Sequence, residues 1–81
     1  MYIQHIDVVQ TSYVLINCEL GKEKTILDSP KHMEYVKEVN GTFGTYDIIV
    51  KMENSDRVKI RETIAWNIRK LQYVRSILKL M

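Results

Sequence analysis

The apolar residues of this chain alternate with a period of two in some segments and recur with a helical period in others, and the order of those segments leaves few folds open. Tyr13-Val14-Leu15-Ile16-Asn17-Cys18-Glu19-Leu20 is rich in β-branched and aromatic residues and stops at Gly21. It predicts a strand with Val14, Ile16, Cys18 and Leu20 on one face. Between Lys22 and Met33, the residues Ile26, Leu27 and Met33 fall at near-helical spacing among charges, which reads as a short amphipathic helix. Pro30 lacks the N–H that would bond back to Ile26, so this helix is expected to kink or end near Ser29. Tyr35 to Asn40 reads as a second strand, closed by the turn Gly41 to Thr45, and Tyr46 to Met52 as a third, with Tyr46, Ile48, Val50 and Met52 on one face. Asn54-Ser55-Asp56 offers capping side chains before a second helix, whose stripe is Ile60, Ile64, Ile68 and Leu71. Tyr73 to Met81 reads as a terminal strand.

Strand, helix, strand, strand, helix, strand folds most simply, with right-handed crossovers, as an α+β ferredoxin-like βαββαβ sandwich with an antiparallel sheet. Both helices then cover one sheet face. The opposite face is expected to show Leu15, Asn17, Asp47, Ile49 and Ile77, too much aliphatic surface to leave in water. A second copy packed sheet to sheet, in the manner of a dimeric α+β barrel, would cover it. Residues 2–10 add a weakly alternating segment; residues 1–12 are read as an N-terminal arm or extra edge strand, and 13–81 as the folded domain.

With 81 residues there is room for one domain, which excludes a multidomain enzyme. The single Cys18 allows no intrachain disulfide and agrees with a reducing compartment. No apolar run approaches a membrane span, and the N-terminus has no secretory pattern, so a cytoplasmic protein without membrane contact is expected. Charge is uneven: residues 57–81 hold 7 basic and 1 acidic side chains, residues 1–56 hold 5 and 9. The net charge of +2 is nevertheless far from the strongly basic balance of a dedicated nucleic-acid binder, and direct nucleic-acid binding is not expected.

Chemistry concentrates at Gly41-Thr42-Phe43-Gly44-Thr45-Tyr46-Asp47. Two glycines three apart permit a sharp turn whose N–H groups can hold a small anion, and Asp47 just beyond can pair with an ammonium group. Loop and side chain together would recognise both ends of a free amino acid; the competing reading is a plain hairpin turn with a locally bonded Asp. Trp66 lies opposite the apolar stripe of its helix, beside Lys59, Glu62 and Lys70, either as an interface residue or as a surface ring over the lysine stems. Cys18 shares the face of Val14 and Ile16 and reads as a small buried residue rather than a reactive thiol. His5, His32 and Cys18 are scattered, so no catalytic constellation, metal site or cofactor is expected.

These residues resemble a family. Tyr13 to Lys22, Val36-Lys37-Glu38-Val39, Gly44 to Lys51, and Ile68-Arg69-Lys70-Leu71 with Val74-Arg75-Ser76 are similar to the RAM domain, the effector-binding and oligomerisation domain of Lrp/AsnC (feast/famine) transcriptional regulators. The resemblance covers about residues 13–81. It implies a ferredoxin-like fold, sheet-to-sheet dimers, tetramers or octamers built from them, and a free amino acid bound between dimers. Carried over by position, the effector site falls on Gly41, Thr42, Phe43, Gly44, Thr45, Tyr46 and Asp47, faced by Arg75, Ile77 and Lys79 of the last strand. The patterning itself, from the open sheet face and the helix side opposite the apolar stripe, gives Leu15, Asn17, Ile49, Trp66 and Ile77 as the expected interface. The family often carries threonines where Ile77 and Lys79 stand, and an apolar residue where Pro30 does.

The helix-turn-helix that precedes this domain in full-length regulators is missing from the 81 residues, so the resemblance is to stand-alone RAM proteins. Two functions follow: an amino-acid-sensing module that modulates transcription through assembly, or a ligand-free assembly partner of full-length Lrp/AsnC regulators. An enzymatic role of the kind some related ferredoxin-like dimers have finds no acid, base or metal cluster here. A nucleic-acid-binding role finds no paired sheet aromatics.

Overall fold

A computed structural model of the chain describes residues 9–42 and 44–80. Four strands form one antiparallel sheet in the order β2-β3-β1-β4: β1 is Gln10–Cys18, β2 Val36–Gly41, β3 Ile48–Asn54 and β4 Val74–Leu80. Two helices, α1 (Glu23–Asp28) and α2 (Arg57–Thr63), complete the βαββαβ order. This is the ferredoxin-like α+β fold that the pattern predicts.

The period-two alternation of β1 places Val14, Ile16 and Cys18 on the helix face, where they are buried with Ile48, Val50 and Met52 of β3. Ile26 of α1 and Ile60, Ile64 and Ile68 of the second helical segment close that core from above. Register explains the match: Ile16 lies opposite Ile48 and Val14 opposite Val50, so facing residues share a side. Leu20, expected on this face, is 95% exposed because β1 has already ended at Cys18. The strand also begins earlier than the alternation suggested, at Gln10, with Ser12 buried opposite Met52.

Pro30 acts as expected. α1 stops at Asp28 and the chain tightens into a 3-10 turn, Ser29–His32, with Pro30 in its first turn, where a missing N–H costs no hydrogen bond. At the start of α2, Asp56 accepts a hydrogen bond from the Val58 N–H at 2.8 Å, the capping role its position predicts. After Thr63 the helix widens into a π-helical turn, Ile64–Ile68, in which the Arg69 N–H donates to the Ile64 carbonyl at 2.9 Å. The extra residue keeps Ile64 and Ile68 both buried and carries Trp66 outward, 63% exposed.

The two βαβ halves end alike. Met33-Glu34-Tyr35-Val36 leads into β2 and Leu71-Gln72-Tyr73-Val74 into β4, and both tyrosines have positive φ, 71° and 76°. Bulky residues rarely adopt that conformation, and here a strand holds each one. The Tyr35 carbonyl accepts from the Glu53 N–H and the Tyr73 carbonyl from the Glu19 N–H, both at 2.8 Å.

On the face away from the helices the expected set needs one correction. A β-bulge breaks the β1–β4 register between Asn17 and Cys18, which lie opposite Ser76 and Val74 and leave Arg75 as the extra residue. Beyond the bulge, Ile77 lies opposite Ile16 and packs against the core, and Lys79 lies opposite Val14 on the helix side. Leu78 and Leu80 face Leu15 and Tyr13 instead, and both are exposed. The apolar part of the open face is therefore Tyr13, Leu15, Ile49, Leu78 and Leu80, with Lys51 beside Tyr13, and Ile77 is not part of it.

Candidate functional site

The connection from β2 to β3 is closed by its own backbone: the Thr42 N–H donates to the Asp47 carbonyl at 2.9 Å. Gly44 has φ 120°, so the turn needs a residue without a Cβ there; Gly41 is an ordinary strand residue opposite Ile48. One glycine rather than two is thus conformationally required. Phe43 lies outside the described residues.

Asp47 joins this loop to the end of β1. Its N–H donates to the Ile16 carbonyl at 2.9 Å, and its carboxylate Oδ2 accepts from the Cys18 N–H at 2.9 Å. The side chain therefore bonds neither within its own turn, as the plain-hairpin reading has it, nor only with a ligand: it ties β3 to the last residue of the central strand. An ionised carboxylate has two oxygens and about four acceptor positions, so one bond to Cys18 leaves acceptor capacity at the second oxygen.

Beside it opens a cleft of about 510 Å³ lined by Asn17, Cys18, Thr45, Asp47, Arg75 and Ser76. Arg75, the residue that the bulge displaces from the β1–β4 ladder, lines this cleft together with Asp47. Asn17 Nδ2 donates to Ser76 Oγ at 3.4 Å across the same two strands. The Cys18 thiol is pushed up from its ordinary range, first by burial and then by the carboxylates of Asp47 and Glu23, so it is held protonated rather than activated. Carboxylate, guanidinium, hydroxyls and an amide converge here on one polar surface.

Of the residues expected to bind a ligand, the structure brings Thr45, Asp47 and Arg75 together. Gly41, Thr42, Gly44 and Tyr46 shape the loop without lining the cleft, and Ile77 and Lys79 are turned to the helix side. Asn17, expected at an interface, lines the cleft. Ser76 was missed, and so was the place of Cys18. The polar Asn17 in a run of aliphatic residues was the one local signal for them. Trp66 stands elsewhere, with Lys70 Nζ 4.5 Å from its ring centroid, beside a shallow depression that also includes Tyr35, Glu34 and Glu62. No group of His, Cys, Asp and Glu among the described residues could hold a metal ion.

No family model matches the sequence, and no curated protein does. Solved structures do match. FFRP-DM1 superimposes with a TM-score of 0.82 at 29% identity, over 90% of this chain and 96% of that one. E. coli AsnC gives a TM-score of 0.80 at 18% identity, over 99% of this chain and 59% of its own. A transcriptional regulator from Neisseria meningitidis, solved as its complex with L-Met, gives 0.74 at 9% identity, over 98% of this chain and 56% of its own. At such identities the last two share the fold, and this chain spans little more than half their length.

Proposed function

The structural neighbours of this chain are Lrp/AsnC-family proteins, and from that premise we propose that the chain is an amino-acid-binding regulatory module of the Lrp/AsnC type, which senses a free amino acid and acts on transcription through its assembly state. The observation that carries the reading is that a carboxylate, Asp47, and a guanidinium, Arg75, line one cleft. A free amino acid is a zwitterion: its ammonium group suits the second oxygen of a carboxylate already fixed by the Cys18 N–H, and its carboxylate suits a guanidinium. The L-Met carried by the Neisseria regulator agrees with that ligand class. Ile77 and Lys79, where the family often has threonines, lie outside the cleft, so they leave its chemistry intact.

Assembly rests on the open sheet face. Tyr13, Leu78 and Leu80 are 36%, 42% and 44% exposed around Leu15 and Ile49, and a second copy packed sheet to sheet buries them. The ligand cleft adjoins that face through Asn17 and Ser76, and in this reading it opens at the margin of such a dimer, within reach of a further dimer. Trp66 is the candidate contact between dimers. The role is regulatory and not enzymatic, with no cofactor. Among the described residues no helix is long and apolar enough to cross a membrane.

Thermal unfolding against each common amino acid tests the sensor. A ligand that binds only the folded state stabilises it by RT ln(1 + [L]/Kd), about 2.7 kcal/mol at one hundred times Kd. The expected result is a rise in Tm with at least one amino acid, lost in Arg75→Gln. A flat panel refutes sensing and leaves the second reading, a ligand-free assembly partner of full-length relatives, which the apolar sheet face supports by itself. Light scattering then follows the assembly, and Leu78→Asp is expected to shift the protein toward monomer.

A further inference from the structure

We infer that the cleft selects amino acids with an amide or hydroxyl side chain over aliphatic and thioether ones, with Asn17 and Ser76 as the residues that set this preference. The inference rests on the amino-acid-binding reading above and concerns what the same site admits. Once Asp47 and Arg75 engage the ammonium and carboxylate groups common to all amino acids, discrimination falls to the rest of the lining. That lining is Asn17, Ser76, Thr45 and the Cys18 edge. Among the described residues no aliphatic or aromatic side chain faces the cleft.

The physical consequence is one-sided. An apolar ligand side chain gains affinity by leaving water for apolar contact, and this surface offers it almost none. It would instead cover the Asn17 amide and the Ser76 and Thr45 hydroxyls without replacing their water, which costs hydrogen bonds. An amide or hydroxyl side chain meets donors and acceptors. The Asn17–Ser76 bond is poised for that exchange. At 3.4 Å it is longer than the range of a well-formed hydrogen bond, so both groups can turn to a ligand at small cost.

Position strengthens the assignment. Asn17 and Ser76 lie directly opposite each other on β1 and β4 at the bulge that also sets Arg75, so backbone geometry fixes their spacing to the carboxylate-binding guanidinium. They border an apolar patch on the same face: Leu15 lies opposite Leu78 two pairs further along, and Tyr13 opposite Leu80 four pairs further along.

The test compares glutamine, asparagine, serine and threonine with leucine, isoleucine, valine and methionine, each titrated into the parent protein, Asn17→Leu and Arg75→Gln, with Kd read by calorimetry. The expected result is binding of at least one amide or hydroxyl amino acid roughly tenfold or more tighter than any of the apolar four. Asn17→Leu is expected to narrow or reverse that ratio while keeping the parent's cooperative unfolding. If an apolar amino acid binds as tightly or more tightly and Arg75→Gln abolishes it, the selectivity is overturned and the amino-acid site stands. If no amino acid binds, or binding ignores Arg75→Gln, the site reading itself falls and the selectivity with it. Should Asn17→Leu unfold, Ser76→Val reports the same preference from the exposed partner of the pair.

Discussion

Asp47 has two functions that substitution can separate. Its Oδ2 holds the Cys18 N–H at 2.9 Å in a partly buried setting, while its backbone bonds to Ile16 and Thr42 survive any side-chain change. A hydrogen bond to a charged group contributes about 1.5–3 kcal/mol. The cleft is open to water that can replace the lost partner, so Asp47→Ala is expected near the lower end, about 1.5–2 kcal/mol. For a domain of this size 1 kcal/mol moves Tm by about 4–8 °C, which puts the loss at roughly 6–16 °C. Asp47→Asn keeps an acceptor oxygen and loses the charge. Its bond falls to the neutral range of about 0.5–1.5 kcal/mol, so it should lose only about half as much stability. The ligand sees the opposite order: with no negative charge to meet an ammonium group, Asp47→Asn should lose the amino-acid response as fully as Asp47→Ala. Differential scanning calorimetry of the three proteins, with and without the amino acid that stabilises the parent, reads both effects. If Asp47→Ala melts within about 2 °C of the parent, the carboxylate is no latch. If Asp47→Asn keeps the parent's ligand response, it is not the ammonium partner.

Other sites give sharper single effects. Asp56→Ala removes the cap on the Val58 N–H and should cost about 1 kcal/mol by denaturant unfolding, with amino-acid binding unchanged. Ile16→Ala, fully buried at the centre of the sheet, should cost about 2–5 kcal/mol, a large part of a small domain's whole margin. Cys18 predicts an alkaline loss. Its folded thiol is raised by burial and by Asp47 and Glu23, so its contribution to stability is constant below the ordinary thiol pKa and falls as pH climbs past about 9, where the unfolded chain ionises and the folded one resists. Cys18→Ala should remove that fall in pH-dependent unfolding, while a later one from Tyr35, whose phenol is raised by burial and by Glu34, should persist.

The elements were legible because each carries its own local signal. Alternation from Tyr13 to Cys18, the Ile60, Ile64, Ile68 stripe, the Asp56 cap and the break at Pro30 all act within a few residues of themselves, so the order of strands and helices follows from the chain alone. The loop from Gly41 to Asp47 was legible for the same reason. The last strand was legible as a strand but not in its facing, because Ile77, Leu78 and Leu80 put apolar residues on both parities and a period of two cannot choose between them. A bulge opposite Asn17 and Cys18 made that choice, sending Ile77 to the core, Leu78 and Leu80 to the open face and Arg75 to the cleft. Bulges arise from pairing between strands, and here the partners are almost sixty residues apart, as Asn17 and Ser76 are. What the sequence by itself determined is therefore the element order and the acid at the end of the loop; which side chains stand beside that acid was decided only when β4 found its register on β1.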